Sequence, residues 1–194
     1  VALVDLNERF IAREVVPLAT NPASAVDRII ECMQAMREKN PHRSYEGIGL
    51  SVPGRCDPST QKLVLAPNLK WGSYDIKQAF EQRMELQVEL ANEASASLQS
   101  ELWAGRMDGV QNAVLISISE GLGGAILANG HIVTGLGGLA GEFGHTPVDP
   151  TGPTCGCGQR GCWETVASSN AALRYYAELN PKSRPLTIRE LLHK

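Results

Sequence analysis

The most informative stretch of this sequence is GEFGHTPVDPTGPTCGCGQRGCWE, residues 141–164. It contains three cysteines, one histidine, two glutamates and six glycines in 24 positions. Cysteine sulfur and histidine nitrogen are ligands that zinc prefers, whereas carboxylates accept hydrogen bonds from hydroxyl groups. The segment therefore predicts a metal site and a polar binding site that lie next to each other.

Four residues of this stretch have the chemistry of metal ligands. Cys155, Cys157 and Cys162 follow the pattern C-x-C-x4-C, and His145 lies ten positions before Cys155. Zinc takes four ligands in a tetrahedron, and three cysteines with one histidine are among its usual structural sets. The glycines between the cysteines allow the tight turns that would aim three sulfurs at one point. We therefore predict a structural zinc site.

There are three alternatives to a structural zinc site. The cysteines could be reduced thiols of a metal-free loop, to which His145 is unrelated. A nucleic-acid-binding zinc ribbon is disfavoured because only one basic residue, Arg160, lies between the cysteines. A zinc hydrolase is disfavoured because four protein ligands leave no open position on the metal for water.

The two glutamates require a different explanation. Glu142 and His145 are three positions apart and would share one face of a helical turn, and Glu164 follows Cys162 by two residues. Two carboxylates and an imidazole gathered in this way suit a polyhydroxylated ligand. Spacing alone leaves open that both glutamates are solvated surface charges.

Composition limits the remaining function classes. The chain has 194 residues, a net charge of -3, a pI of about 5.8 and 43% hydrophobic residues. The charge balance gives no footprint for nucleic acid or an anionic membrane, and no apolar run reaches the ~20 residues of a membrane span. Three of five cysteines crowd into eight positions, which favours a cytoplasmic metal protein over a secreted disulfide framework. We expect no membrane partner.

Hydrophobic patterning predicts alternating strands and helices. Asn129-Gly130 is the strongest turn signal, since this pair favours a two-residue β-hairpin. A composition shift near Gly105 predicts two α/β subdomains, residues 1–105 and 106–194. The predicted strands are 1–6, 9–18, 47–52, 62–66, 86–90, 113–119 and 123–133, and the predicted helices are 22–39, 74–84, 91–103, 161–179 and a last one capped by Thr187.

At this point the motifs show a resemblance to a known family. GLAGEFGH (138–145) followed by CGCGQRGCWE (155–164) resembles the signature of the ROK family, which groups sugar-responsive repressors with bacterial-type sugar kinases. The resemblance covers nearly the whole chain, and it implies an actin-like ATPase (ribonuclease-H-like) fold with sugar bound between two α/β subdomains. The other matching segments are GIGLSVPG (47–54), APNL (66–69), ANEASASLQSE (91–101) and ISEGLGGAILANG (118–130).

The resemblance also implies roles for individual residues. The zinc ligands would be His145, Cys155, Cys157 and Cys162. The sugar-contacting residues would be Asn92, Glu93, Glu142, His145 and Glu164, with Gly54, Arg55 and Asn68 as weaker candidates. His145 can serve both sites, because one ring nitrogen can bind zinc while the other donates a hydrogen bond to the sugar.

Three departures from the kinase pattern favour a non-catalytic protein. Kinases of the family use an Asn-Asp pair, whose Asp deprotonates the attacking sugar hydroxyl, and here the pair is Asn92-Glu93. The extra methylene of Glu93 moves the carboxylate by roughly 1 Å, a displacement that can cost ~10²-fold in rate. The second phosphate loop reads SEGLGG (119–124), and Glu120 would place a carboxylate beside phosphate oxygens. The first phosphate loop, Asp-x-Gly-x-Thr, does not occur ahead of the first strand.

We therefore expect the sugar-sensing core of a ROK-type transcriptional regulator. Such regulators contact DNA through a helix-turn-helix segment that is absent from this chain, and we expect the chain to be truncated at both ends. Family members commonly form homo-oligomers, and the expected partner is a small-molecule sugar. The alternative is a ROK sugar kinase that phosphorylates a hexose or an N-acetylhexosamine with ATP and tolerates Glu93.

Overall fold

The computed structural model describes residues 1–17, 19–105 and 107–193, and its strands and helices alternate along much of the chain. These elements form two compact units. The first consists of Val1–Glu93 with a short segment that starts at Trp103. The second consists of Ala94–Leu102 and the chain from Met107 onward.

The first unit is built around a parallel strand pair. Strand β3 (Ile48–Val52) pairs with β6 (Val88–Asn92), and Val52 lies opposite Asn92. Because the strands are parallel, the residues that follow them emerge at the same edge. The other elements are β1 (Ala2–Val4) paired with β2 (Phe10–Arg13), helix α1 (Pro22–Glu38), β4 (Arg55–Asp57) paired with β5 (Lys62–Leu65), and helix α2 (Ile76–Met84).

Helix α1 begins where its sequence predicts. The side chain of Asn21 accepts a hydrogen bond from the backbone N–H of Ser24 at 2.9 Å, and Pro22 occupies the first helical position. The helix buries an apolar face that includes Ile30, which packs in one core with Phe80 of α2 and Val88 of β6. This core packs the β3–β6 pair together with the two helices.

The second unit is a three-stranded antiparallel sheet with helices. Its strands are β7 (Ala113–Ile118), β8 (Leu122–Ala128) and β9 (His131–Val133), in the order β7-β8-β9. Asn129 and Gly130 have positive φ angles of 51° and 77°, as the predicted hairpin turn requires. The helices are α3 (Glu93–Trp103), α4 (Glu164–Ala167), α5 (Ser169–Leu179) and α6 (Ile188–Leu192).

Strand β8 is buried on both faces. On one face, Ala125 and Leu127 pack against Ala94 and Leu98 of α3. On the other face, Gly124 lies against Phe143. This double burial explains why residues 122–128 form an unbroken run of apolar and glycine residues.

The predicted pattern needs three corrections. The helix predicted over 161–179 is interrupted at Ser168, whose extended backbone (φ -114°, ψ 170°) separates α4 from α5, and whose hydroxyl caps α5. Strand β4 was not predicted, because it has three residues and no alternation long enough to detect. The predicted strand 9–18 ends at Arg13, and Leu18 lies outside the described residues.

The proposed subdomain boundary after Gly105 stays a prediction, although the structure assigns most of α3 to the second unit. In the described part of the chain, no helix is both long and apolar enough to span a membrane.

The placement of α3 can be tested by substitution. Leu98 has no exposed surface, and Leu98→Ala should lower the free energy of unfolding by about 2–5 kcal/mol because it leaves a cavity. Amide hydrogen exchange should show protection lost in β7 and β8. Phe80→Ala, at a site 1% exposed in the other core, is the matched control and should instead expose β3 and β6. Loss of protection in β3 and β6 upon Leu98→Ala would contradict this assignment.

Candidate functional site

The four predicted metal ligands converge on one point. One ligand atom from each of His145, Cys155, Cys157 and Cys162 can be chosen so that all four lie within 4.8 Å of one another. Cys157 Sγ and Cys162 Sγ are 3.7 Å apart, and Cys155 Sγ is 3.5 Å from His145 Nδ1. The four residues that spacing predicted therefore form a single cluster.

These distances fit a tetrahedral metal ion. Bonds of about 2.3 Å from zinc to sulfur and about 2.0 Å from zinc to nitrogen separate two sulfurs by about 3.8 Å and a sulfur from a nitrogen by about 3.5 Å. Both measured separations agree with these edges of the tetrahedron. The cluster could therefore hold one metal ion, with Nδ1 as the histidine ligand.

Short backbone pairings build the loop that carries the cysteines. The N–H of Cys155 donates to the carbonyl of Gln159 at 2.8 Å, and the N–H of Gly158 donates to Cys155 at 3.0 Å. Gly158 has a φ of 92°, which favours glycine. A bridge between Pro147 and Cys162 then brings the histidine side of the loop next to the last cysteine.

Burial controls the protonation of two of the thiols. It raises the pKa of Cys155, and the hydrogen bond to Glu164 adds to that increase. Burial likewise raises the pKa of Cys162. Cys157 is the solvent-exposed member of the three. Because a metal binds thiolates, metal uptake at this cluster would have to displace protons from the buried sulfurs.

Both glutamates flank the imidazole. Glu142 Oε2 is 3.5 Å from His145 Nε2, and Glu164 Oε1 is 3.7 Å from His145 Nδ1. Cys155 Sγ also donates to Glu164 Oε1 at 2.9 Å. The side chains of Glu142 and His145 are about one-third exposed, at 33% and 28%. Hydrogen-bond acceptors thus lie around a partly exposed imidazole, an arrangement that can bind hydroxyl groups.

Glycines fix the segment that carries Glu142 and His145 against strand β8. A Cβ atom on Gly144 would collide with the carbonyl oxygen of Leu122, and one on Gly141 would collide with that of Gly124. Between these two glycines, the backbone enters a short 3-10 turn, Phe143–His145. The backbone of the GEFGH motif therefore packs directly on the sheet, which restricts where the side chains of Glu142 and His145 point.

The remaining predicted site residues lie at the end of the β3–β6 pair or near it. Asn92, the last residue of β6, donates from its side-chain amide to the carbonyl of Gly54 at 2.9 Å. Glu93 is exposed at the start of α3. Arg55 is half-buried in β4, and its Nε has no hydrogen-bond partner among the described residues. Asn68 is exposed in a 3-10 turn, Pro67–Leu69.

The structure therefore brings together two separate groups. Glu142, His145 and Glu164 surround the cysteine cluster in the second unit. Asn92 and Gly54 are hydrogen-bonded in the first unit. Glu120 is exposed in the turn between β7 and β8.

Sequence reasoning missed the residues that support Glu164. Arg174 of α5 donates from Nη2 to the carbonyl of Thr165 at 2.7 Å, and the hydroxyl of Thr165 donates to the carbonyl of Cys162 at 2.7 Å. These bonds tie the short helix α4, which begins with Glu164, to the cysteine loop and to α5. An interaction across nine residues and a helix break leaves no periodic signal in the sequence.

Asp149 is a second residue that was missed. Its carboxylate accepts hydrogen bonds from the N–H and the hydroxyl of Thr151, and these bonds lower the pKa of Asp149. The backbone carbonyl of Asp149 lies so close to Gly161 that no Cβ fits there. The Asp-Pro-Thr-Gly sequence at 149–152 is typical of such a turn and could have indicated it.

Comparison with known proteins gives the chain a family context. The profile of the ROK family matches residues 1–194. The xylose repressor of Bacillus subtilis (strain 168) is 33% identical over 194 residues, which cover 98% of this chain and 50% of the repressor. The glucokinase of Halalkalibacterium halodurans is 38% identical over 165 residues, which cover 83% of this chain and 48% of the glucokinase.

A solved structure agrees with this context. The crystal structure of a ROK family glucokinase from Streptomyces griseus, in complex with glucose and AMPPNP, superposes with a TM-score of 0.82 at 32% identity, covering 93% of this chain and 58% of that one. The structural neighbours have the actin-like ATPase fold, so the predicted fold class is confirmed. The chain spans about half the length of the curated relatives that it matches.

The close packing of the GEFGH motif yields a prediction. Gly144→Ala would force a methyl group into the carbonyl of Leu122, so the free energy of unfolding should fall by about 1–3 kcal/mol, as for other overpacked sites. Metal content should fall as well, because His145 is displaced. Gly72→Ala is the control, since a Cβ there meets open space. Thermal unfolding and metal analysis of both variants check this prediction. Equal stability and equal metal content in the two variants would show that the close approach of Gly144 to Leu122 does not restrict the site.

Proposed function

We propose that this chain, which belongs to the ROK family, is the sugar-sensing core of a transcriptional regulator and has no kinase activity of its own. The observation that carries this proposal is Glu93, at the position where the kinases of the family are expected to have an aspartate base. Repressors and glucokinases are both among its relatives at similar identity. The residues of the site must therefore distinguish between the two functions.

Glu93 is a poor replacement for a catalytic aspartate. Glutamate has a similar basicity, but its carboxylate lies one methylene farther from the backbone, and proton abstraction depends on placement to within roughly 1 Å. Hydrogen bonding to a sugar tolerates such a shift better, because the side chain can adjust its rotamer. A glutamate here supports a site that binds sugar without activating it.

Glu120 supports the same proposal from the nucleotide side. It lies exposed in the β7–β8 turn, within the segment that resembles the second phosphate loop. Phosphoryl transfer depends on cations and hydrogen-bond donors around the phosphates. A carboxylate in this loop would repel the phosphates instead.

In this proposal the cysteine cluster holds zinc, and the metal has a structural role. Three sulfurs and one imidazole nitrogen occupy all four positions of a tetrahedral ion, so zinc would activate no water. It would instead fix the ring of His145 through Nδ1 and leave Nε2 for a ligand hydroxyl. Glu142, Glu164 and Asn92 would supply further hydrogen bonds to the sugar, with Gly54, Arg55 and Asn68 as weaker contributors.

The proposed partners follow from this role. The ligand would be a small sugar, and the names of the relatives suggest glucose and xylose as first probes. DNA would be contacted through a helix-turn-helix segment outside this sequence, and the working form would be a homo-oligomer in the cytoplasm.

The alternative, an ATP-dependent sugar kinase, is favoured by the 38% identity to a glucokinase. A helix-turn-helix encoded upstream of Val1 would support the regulator, and an Asp-x-Gly-x-Thr turn there would support the kinase.

The regulator proposal predicts the absence of ATP turnover. The full-length protein, incubated with magnesium-ATP and either glucose or xylose, should release no ADP above background, because Glu93 misplaces the base and Glu120 repels the phosphates. Glu93→Asp, alone and combined with Glu120→Thr, tests whether these two residues account for the loss. Robust sugar-dependent ADP release by the unmodified protein would replace the regulator proposal with the kinase.

A second prediction separates the roles of zinc and the carboxylate. Glu164→Gln keeps the size of the side chain but replaces one acceptor oxygen with a donor group. Since hydrogen bonds to charged groups contribute about 1.5–3 kcal/mol, sugar affinity should fall at least about tenfold while zinc stays near one per chain. Cys162→Ser should lower zinc content and sugar affinity together, because the loop that presents Glu164 loses its anchor.

Calorimetric titration with glucose and xylose, together with metal analysis, measures both effects. Glu38→Gln is a matched control, since Glu38 is exposed at the end of α1 and belongs to the first unit. Unchanged sugar affinity in Glu164→Gln would remove Glu164 from the proposed site.

A further inference from the structure

The three cysteines of the cluster occupy different surroundings. Cys162 is fully buried, and Cys155 is 4% exposed with its sulfur against the carboxylate of Glu164. Cys157 is exposed to solvent. An oxidant that approaches from water therefore meets the sulfur of Cys157 first.

The sulfur of Cys162 lies close to that of Cys157. Their Sγ atoms are 3.7 Å apart. Cys157 is followed by Gly158, which has a φ of 92°, and Cys162 is preceded by Gly161, which has a φ of 62°. A disulfide bond requires these two sulfurs to approach to about 2.05 Å. Cys155 differs in that its sulfur also contacts Glu164 at 2.9 Å and His145 at 3.5 Å.

We infer that Cys157 and Cys162 form an oxidation site, at which a peroxide converts the two metal-bound thiolates into a disulfide and displaces the metal. This inference rests on the proposed zinc site. After oxidation only His145 and Cys155 remain as ligands, and two ligands do not complete the tetrahedron that zinc requires. Oxidation of Cys157 and Cys162 would thus release the metal that holds the loop.

The chemistry balances in two steps. The Cys157 thiolate attacks one peroxide oxygen, so an S–O bond forms, the O–O bond breaks, and the departing hydroxide takes a proton to become water. The Cys162 thiolate then attacks the resulting sulfenic sulfur, so the S–S bond forms, the S–O bond breaks, and a second water leaves with a second proton. The two sulfurs lose two electrons in total, the peroxide gains them, and zinc keeps its charge.

The other two cysteines provide internal comparisons. Burial raises the pKa of Cys56 to about 11, so this thiol stays protonated and is a poor nucleophile at neutral pH. Cys32 is half-buried in α1, and no second cysteine belongs to its helix. Helix α1, which contains Cys32, and strand β4, which contains Cys56, have no second thiol. Both cysteines should therefore remain reduced when the cluster is oxidised.

The consequence concerns the proposed sugar site. Glu164 lies two residues beyond Cys162, and His145 is itself a ligand of the cluster. Release of the metal would free both side chains from the geometry that presents them. A sugar sensor built in this way would bind its ligand less tightly under oxidising conditions.

The test uses the zinc-loaded full-length protein and hydrogen peroxide. Zinc release is followed with a coloured chelator, and the protein is then digested with trypsin without reduction. Cleavage after Arg160 places Cys157 in the peptide that starts at Met107 and Cys162 in the peptide 161–174. We expect a disulfide between these two peptides, formed in step with zinc release, and fragmentation of the linked peptides should assign the bond to Cys157. A thiol reductant with added zinc should reverse both changes.

Several results would overturn the inference: zinc that stays bound under excess peroxide, zinc that leaves without the disulfide, or a bond that involves Cys155. Cys32→Ser is the matched control and should behave as the parent does. Absence of zinc before peroxide is added would refute the zinc proposal rather than the oxidation chemistry. If disulfide formation and zinc release occur but glucose and xylose affinities are unchanged, the proposed sugar site fails while the oxidation site stands.

Discussion

The convergence of three sulfurs and one imidazole on a single point is the constraint on which the rest of the site depends. Residues 145–162 contain little apolar surface, and Cys155 and Cys162 are the cluster members that are buried. A loop of this kind gains few hydrophobic contacts to offset the entropy of ordering its backbone. Four ligand atoms that could hold one metal ion would supply a different source of order, since metal binding and folding of the loop would become one event.

Strand β8 is the second constraint, because two segments of the second unit pack on it. Helix α3, which starts at Glu93, packs on one face of the strand, and the GEFGH motif packs on the other. The glycines at 141 and 144 are thus a steric requirement of a strand that is covered on both sides. The direction of Glu142 and His145 is set by backbone contact with β8 and by the cysteine cluster together.

Much of this arrangement could be predicted from the sequence, and what could not has a physical reason. The spacing of the cysteines and His145 identified the four residues that cluster, and Asn129-Gly130 identified the hairpin, because both signals are local. Strand β4 and the break at Ser168 were missed because tertiary packing decides such short elements. The support that Arg174 gives to Thr165 and the contact of Cys155 with Glu164 were also missed, since hydrogen bonds between distant residues leave no periodicity. The assignment of the sugar-contacting residues remains a proposal.

The family contains both repressors and kinases. The two functions place different requirements on the same fold, and this difference is the basis for choosing between them. Sugar binding needs several hydrogen bonds of moderate strength, and the loss or displacement of one of them leaves the others in place. Phosphoryl transfer needs a base and phosphate-binding groups aligned at the same moment, so a single displaced carboxylate can reduce the rate by orders of magnitude. A change from aspartate to glutamate at position 93 therefore affects catalysis far more than affinity. In the proposed function, Asn92, Glu142, His145 and Glu164 would bind the sugar, whereas glutamate at positions 93 and 120 would impair catalysis. Ligand sensing is the function that we propose for such a combination.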